Sequence, residues 1–263
     1  MARRKTATSA IAIIIAAAAA GLLALGGWAP SETGTIPEHS STPRPPVTSS
    51  PEPTASAPST DADPFSDGAA LAAQLPVIDP AEAAQVPEYR RETFGDRWAD
   101  VDGNGCDQRN DVLARDLVDV ILDDDGCTVL SGVLFDDPYS GKDIVFQHDR
   151  VAEPGNPGSS GVQIEHIVSL AAAHRGGAWK WTDQQRLMFA NDLEHVIAVD
   201  GPTNNAKNDS GPAAWLAAWE PADPAAECAF ALRYTEIVAD ARLAVERADR
   251  DALVHTLTGC GSR

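Results

Sequence analysis

Along the middle of the chain, apolar residues alternate with polar ones or gather in short blocks, whereas towards the C-terminus they recur at helical spacing. Val162-Gln-Ile-Glu-His-Ile-Val168 alternates with the period of a strand. Glu194 to Gly201 holds a second, short apolar strand, and Pro202 to Lys207 reads as a turn opening a helix. Upstream, apolar residues at 112, 113, 117, 120 and 121 predict a helix over Asn110–Leu122, with Asn110 as its N-cap. Cys127–Phe135 and Lys142–Gln147 are β-branched runs joined by Asp136-Asp-Pro-Tyr-Ser-Gly141, which is the chemistry of a hairpin turn. Arg150–Gly161, rich in Gly and Pro, is predicted as a loop bordering the strands that follow.

Further helices are predicted over Ser169–His174 and from a Thr182 cap to Ala190, the latter with Leu187, Met188 and Phe189 inward. His174 is placed at a helix end or on the surface. Gly211–Trp219, Ala225–Ala248 and Asp249–Cys260 complete a helical scaffold, and Ala69–Pro87 contributes a short helix. The pattern is α+β: a strand–strand–helix unit and a small hairpin inside a mostly helical, disulfide-bonded domain.

Composition divides the chain in three. Residues 1–29 open with Arg3, Arg4 and Lys5 before an uncharged apolar stretch, as in a secretory signal; its length also fits an uncleaved membrane anchor. Either reading puts the remainder outside the cytoplasm, secreted or anchored facing outward. Residues 30–67 are Pro, Ser, Thr, Glu and Ala with few large apolar side chains, a linker composition that cannot build a core. Residues 68–263 are long enough for one domain with its own core. That domain carries Cys106, Cys127, Cys228 and Cys260; an even count in an exported chain predicts disulfides. Sequence does not fix their connectivity, but 106–127 and 228–260 would close the most local loops.

Three polar groups stand out in the strand–strand–helix stretch: the pair Glu165–His166, then His195, then Asn204 with Lys207. Polar groups in an apolar run need partners, because burying them bare costs a few kcal/mol. A carboxylate and an amide oxygen suit a hard divalent ion, and a neutral imidazole suits a general base. Asp100, Asp102, Asn104 and Gly105 match the first half of a calcium loop, but Asp111 at its twelfth position is short. A tight hydrogen-bonded turn is the favoured alternative there. Arg109, just beyond, is placed either to clamp a phosphate or to pair with the neighbouring aspartates.

The motif set Glu165-His166-Ile167, His195-Val196 and Asn204-Asn205-Ala206-Lys207 resembles the HNH endonucleases of the ββα-metal fold. Within them it is most similar to the C-terminal nuclease domain of GmrSD-type restriction enzymes and their secreted actinobacterial relatives. The resemblance spans most of Trp98–Cys260. It implies a ββα-metal finger, His166 as general base, and Glu165 and Asn204 as ligands of a divalent ion, Mg²⁺ with Mn²⁺ or Ca²⁺ as alternatives. It further implies that His195 orients His166, and that Lys207 steadies the helix or touches a phosphate. The chain departs from the family in two places, with Glu165 for the usual Asp and His195 for the usual Asn.

Charge limits the partner. Thirty-nine acidic residues against 20 basic ones give a net charge of −19, which repels a phosphate backbone. Between Val162 and Lys207 five acidic residues face four basic ones, so the motif window is nearly neutral. The implied function is an exported, metal-dependent endonuclease binding nucleic acid weakly and without sequence preference. The alternative is a binding or structural module on the same fold with a degraded site.

Overall fold

The computed structural model describes residues 63–262. The leader and most of the linker read from the sequence lie outside that range. Asp63 caps helix α1 (Pro64–Gln74), accepting from Phe65 and Ser66 amides, and Asp79 caps the short α2 (Pro80–Ala83). Helix α1 therefore begins within the last residues of the linker stretch.

The predicted helix over 110–122 is half helix and half strand. Helix α3 (Gln108–Asp116) is capped by Asp107, whose carboxylate accepts from the Asn110 amide. Asn110, expected as the cap, is instead buried and accepts from Val129 N at 2.9 Å. The chain turns extended at Leu117 and continues as β1 (Val118–Leu122), bulged at Asp119 with φ 52°. Strand β1 pairs antiparallel with β2 (Val129–Leu134), which pairs with β3 (Ile144–Gln147), so the expected hairpin gains a third strand. Ile121 and Val145 of this sheet are each 59% exposed, and Phe135 beside it is 54% exposed.

Strand β4 (Val162–His166) pairs antiparallel with β5 (Val196–Asp200), and α6 (Gly201–Lys207) follows β5 directly. Asp200 caps α6 by accepting from Thr203 N and Oγ1, with Pro202 in its first turn. Alternation along β4 decides what each side chain meets. Val162 and Ile164 join a core with α3 and the three-stranded sheet, through Val112, Leu113 and Phe146. Gln163, Glu165 and Ile167 face the other way, towards α6 and the larger core.

That larger core is helical. It is built by α4 (Leu170–Arg175), α5 (Asp183–Ala190), α7 (Pro212–Ala218), α8 (Ala225–Asp240), α9 (Arg247–Cys260) and α1, with Phe94, Trp215, Trp219, Tyr234 and Leu257 at its centre. Ser169 caps α4 and Thr182 caps α5, the latter in a full capping box with Gln185. Met188, expected inward, is exposed; Phe189 and Ala190 are the buried residues of α5, and Leu187 is half-buried against Gly95. His174, expected at a helix end or on the surface, lies in the last turn of α4 but is buried, bonded through Nε2 to Pro87 O at 2.9 Å. The long helix expected over 225–248 ends at Asp240. Arg242 there takes φ 53°, and Val245 leaves to form a parallel bridge with Val77.

Both disulfides follow the local pairing. Cys106–Cys127 ties the turn before α3 to the start of β2, and Cys228–Cys260 ties α8 to the end of α9. The second closes a loop with a sequence separation of 32, so its loss releases chain entropy worth about 4 kcal/mol. Cys228→Ser/Cys260→Ser is therefore expected to lower the thermal midpoint by roughly 10 °C, using about 2–4 °C per kcal/mol for a domain of this size. An unchanged midpoint by differential scanning calorimetry would show that α8–α9 packing alone fixes the loop.

Candidate functional site

The end of β4, the first turns of α6 and α3, and a segment around residues 89–98 enclose a hollow of about 440 Å³. His166 lines it. Its Nε2 lies 2.8 Å from the carbonyl oxygen of Ala190, the last residue of α5. A carbonyl can only accept, so Nε2 carries the hydrogen and Nδ1 keeps its lone pair. Nδ1 has no partner among the described residues and is not sealed from solvent. Trp98 stacks on the imidazole, centroids 5.7 Å apart and planes 16° apart, from a backbone held at φ 57°. A bulky aromatic residue rarely adopts that left-handed conformation, so the surrounding packing must impose it. Burial lowers the His166 pKa to about 4, against the raising effect of the Ala190 carbonyl, so the ring is neutral at neutral pH.

Glu165 points to the opposite side of β4. Its Oε1 takes both the ammonium of Lys207 and, at 3.5 Å, the hydroxyl of Tyr139. Burial pushes the Glu165 carboxyl up, while the Lys207 charge beside it pulls it down. Burial, with the Glu165 charge adding to it, raises the Tyr139 hydroxyl far above its ordinary range. Lys207 is wholly buried: its Nζ also approaches His166 O at 3.5 Å and lies 6.0 Å over the Phe230 ring. It holds α6 against β4 and does not reach the hollow, so of its two expected roles the phosphate contact has no geometric basis.

Asn204 lines the hollow from α6. Its Nδ2 donates to Gln163 Oε1 at 2.9 Å, which fixes the amide and leaves Oδ1 without a partner among the described residues. Arg109 lines the hollow from the first turn of α3. Its Nη2 donates to Ser159 O at 3.3 Å and its guanidinium lies 5.7 Å over the Phe146 ring. No carboxylate lies within 4.0 Å of it among the described residues, and Asp107 and Asp149 act on its charge only from further away.

His195 is placed apart from these. Its Nδ1 donates to Phe189 O at 3.2 Å, its ring packs on Phe189, and it borders a separate hollow near Trp181. No side-chain hydrogen bond joins it to His166, although it lies close enough to act on the His166 charge. His195 touches β4 through its backbone, its carbonyl accepting from Ile167 N at 3.1 Å, while Ala190 O orients the catalytic candidate.

Among the described residues, no three His, Cys, Asp or Glu side chains gather into a metal cage. The hollow presents the Glu165 and Asp209 carboxylates and, among its amide side chains, the Asn204 oxygen, which has no partner among the described residues. That donor set fits a hard ion completed by water and substrate phosphate rather than a closed structural site. The suspected calcium loop is satisfied from within. Asp100 accepts from Gly103 and Gly105 amides, and Asn104 donates to Asp102 and Asp111.

The sequence reading missed Ala190, Trp98, Arg91 and Arg97, all at or beside the hollow. A backbone carbonyl has no sequence signature. Trp98 and the two arginines belong to an irregular segment with no periodic pattern to place them.

Residues 107–223 match the family described as GmrSD restriction endonucleases, C-terminal domain. A protein described as an uncharacterized secreted protein, from Arthroderma benhamiae, is 33% identical over 174 residues, spanning 65% of this chain and 76% of that protein. No solved structure matches the chain. Strand, strand and helix fall inside residues 107–223, so it is this part of the chain that is similar to the GmrSD restriction endonuclease C-terminal domain.

Proposed function

We propose that this chain is an exported, metal-dependent endonuclease of the HNH type that hydrolyses phosphodiester bonds of nucleic acid with little sequence preference. The observation that carries it is the imidazole of His166. Its Nε2 is committed to Ala190 O, and its unprotonated Nδ1 is left for a hollow that Glu165, Asn204 and Arg109 also line. In this reading His166 Nδ1 takes a proton from water as the water oxygen bonds to phosphorus and the leaving alkoxide departs. Arg109 holds a non-bridging phosphate oxygen. Glu165 and Asn204 would hold the divalent ion, which when bound supplies charge neutralisation at the phosphate and leaving oxygen. The Lys207 ammonium beside Glu165 favours its ionised form against the opposing effect of burial. The secreted fungal relative supports export.

A second reading, a non-catalytic module on the same fold, draws on the Lys207–Glu165 pair, which competes for the carboxylate a metal would need. One experiment separates them. Full-length, disulfide-intact protein is incubated with supercoiled plasmid in Mg²⁺, Mn²⁺ or Ca²⁺, with EDTA and His166→Ala as controls. Nicking that requires metal and His166 is the expected result. Absence of nicking with every ion would leave the non-catalytic reading standing.

A further inference from the structure

We infer that the segment from Tyr89 to Trp98 is a preformed phosphate-binding wall, in which Arg91 and Arg97 extend the Arg109 contact to neighbouring phosphates of a nucleic-acid strand. The inference rests on the endonuclease reading, which assigns no role to Arg91 or Arg97. Residues 89–98 also precede the stretch that matches the family.

The first ground is electrostatic. Of the fifteen Lys and Arg residues among the described residues, six have no carboxylate within 4.0 Å, and three of those six, Arg91, Arg97 and Arg109, line this one hollow. In a chain with nearly twice as many acidic as basic residues, unpaired arginines converging on one concavity are the reverse of the general trend. The two carboxylates that line the same hollow are each matched elsewhere, Glu165 by Lys207 and Asp209 by Arg175 at 4.0 Å. The wall is therefore locally cationic. Arg91 and Arg97 are also close enough to repel one another, an arrangement an anion between them would relieve.

The second ground is that the segment is built, not loose. Tyr89 packs edge-on against His174 at 5.6 Å, and His174 is itself buried and bonded to Pro87 O. Thr93 O accepts from Arg186 Nε at 2.7 Å, and Phe94 is fully buried. Gly95 takes φ +74° against α5, where a Cβ would meet Leu187 Cδ1 at 2.6 Å. Arg91 spends one nitrogen on Gly95 O at 3.1 Å, and the Arg97 side chain makes no hydrogen bond among the described residues. Two guanidinium groups are thus presented on a fixed backbone with most donors free, beside Trp98 on His166. Phosphate recognition by arginine has this form: a planar, multidentate donor held near its target.

The test measures binding apart from cleavage. Full-length His166→Ala, which keeps DNA uncut, is titrated against a labelled DNA oligonucleotide in Mg²⁺ from about 50 to about 200 mM salt. Addition of Arg91→Gln and Arg97→Gln is expected to weaken binding at least tenfold at low salt and to reduce the log–log salt slope by about 2, one for each lost phosphate contact. Arg242→Gln/Arg247→Gln, which removes two unpaired charges away from the hollow, is expected to change neither. Equal affinity and slope in the Arg91/Arg97 variant would overturn the inference, as would an equal fall in the Arg242/Arg247 control. Plasmid nicking by the wild type reports separately on the endonuclease reading. If the wild type nicks and the Arg91/Arg97 variant binds normally, only the wall is lost; if the chain neither nicks nor binds, both fall.

Discussion

His166→Ala is expected to slow metal-dependent plasmid cleavage by about 10²–10⁴-fold, the range that a positioned general base supplies. The ring is held on one edge by Ala190 O and on one face by Trp98, so the proton-accepting nitrogen is fixed before substrate arrives. Alanine removes that nitrogen and leaves the Ala190 carbonyl without its donor, a loss worth about 1 kcal/mol to the fold. The variant should therefore remain folded, with a circular dichroism spectrum like the wild type and a thermal midpoint lower by a few degrees at most. An unchanged cleavage rate in a folded variant would remove His166 from the reaction.

Lys207→Met is expected to be the most damaging single change to the fold, lowering unfolding free energy by about 3–5 kcal/mol. Methionine matches the length of the lysine stem but leaves Glu165, with only 5% of its surface exposed, without its counter-charge. For a domain of this size the loss corresponds to roughly 10 °C or more in thermal midpoint. Neutralising the partner tests the cause: Glu165→Gln/Lys207→Met should recover most of the lost stability, because the pair is removed together. The double variant would still lack the carboxylate that the endonuclease reading needs, so it should be folded and inactive. A single Lys207→Met variant that unfolds like the wild type would mean that Glu165 is protonated in the native protein and needs no partner.

The parts of the site on regular structure were legible in the sequence, and the parts on irregular backbone were not. Strand β4, strand β5 and helix α6 announced themselves by alternation, by an apolar run, and by the turn beginning at Pro202; the Asp200 cap came from the structure. That Glu165 and His166 face opposite sides of β4 follows from strand geometry. That Glu165 would be taken by Lys207 does not, because it depends on how α6 lies against the sheet. Residues 117–122 fit helical and strand periods equally well, and pairing with β2, remote from any local preference, decided for the strand. Between Asp240 and Arg247 there is no glycine or proline to announce a break; the bridge from Val245 to Val77 makes it. His195 looked like a side-chain partner of His166, yet its ring found Phe189 and only its carbonyl serves β4.

The exposed apolar side chains of the three-stranded sheet, Ile121, Val145 and Phe135, bear on how the protein behaves in concentrated solution. Around neutral pH the charge of −19 keeps molecules from approaching closely enough for those faces to meet. Near pH 4.5, where the net charge vanishes, or in strong salt, that long-range barrier disappears and short-range apolar attraction remains. The acidity that weakens contact with a polyanion is thus also what keeps the protein colloidally stable. Substitutions that raise DNA affinity by adding basic residues would draw on the same reserve of solubility.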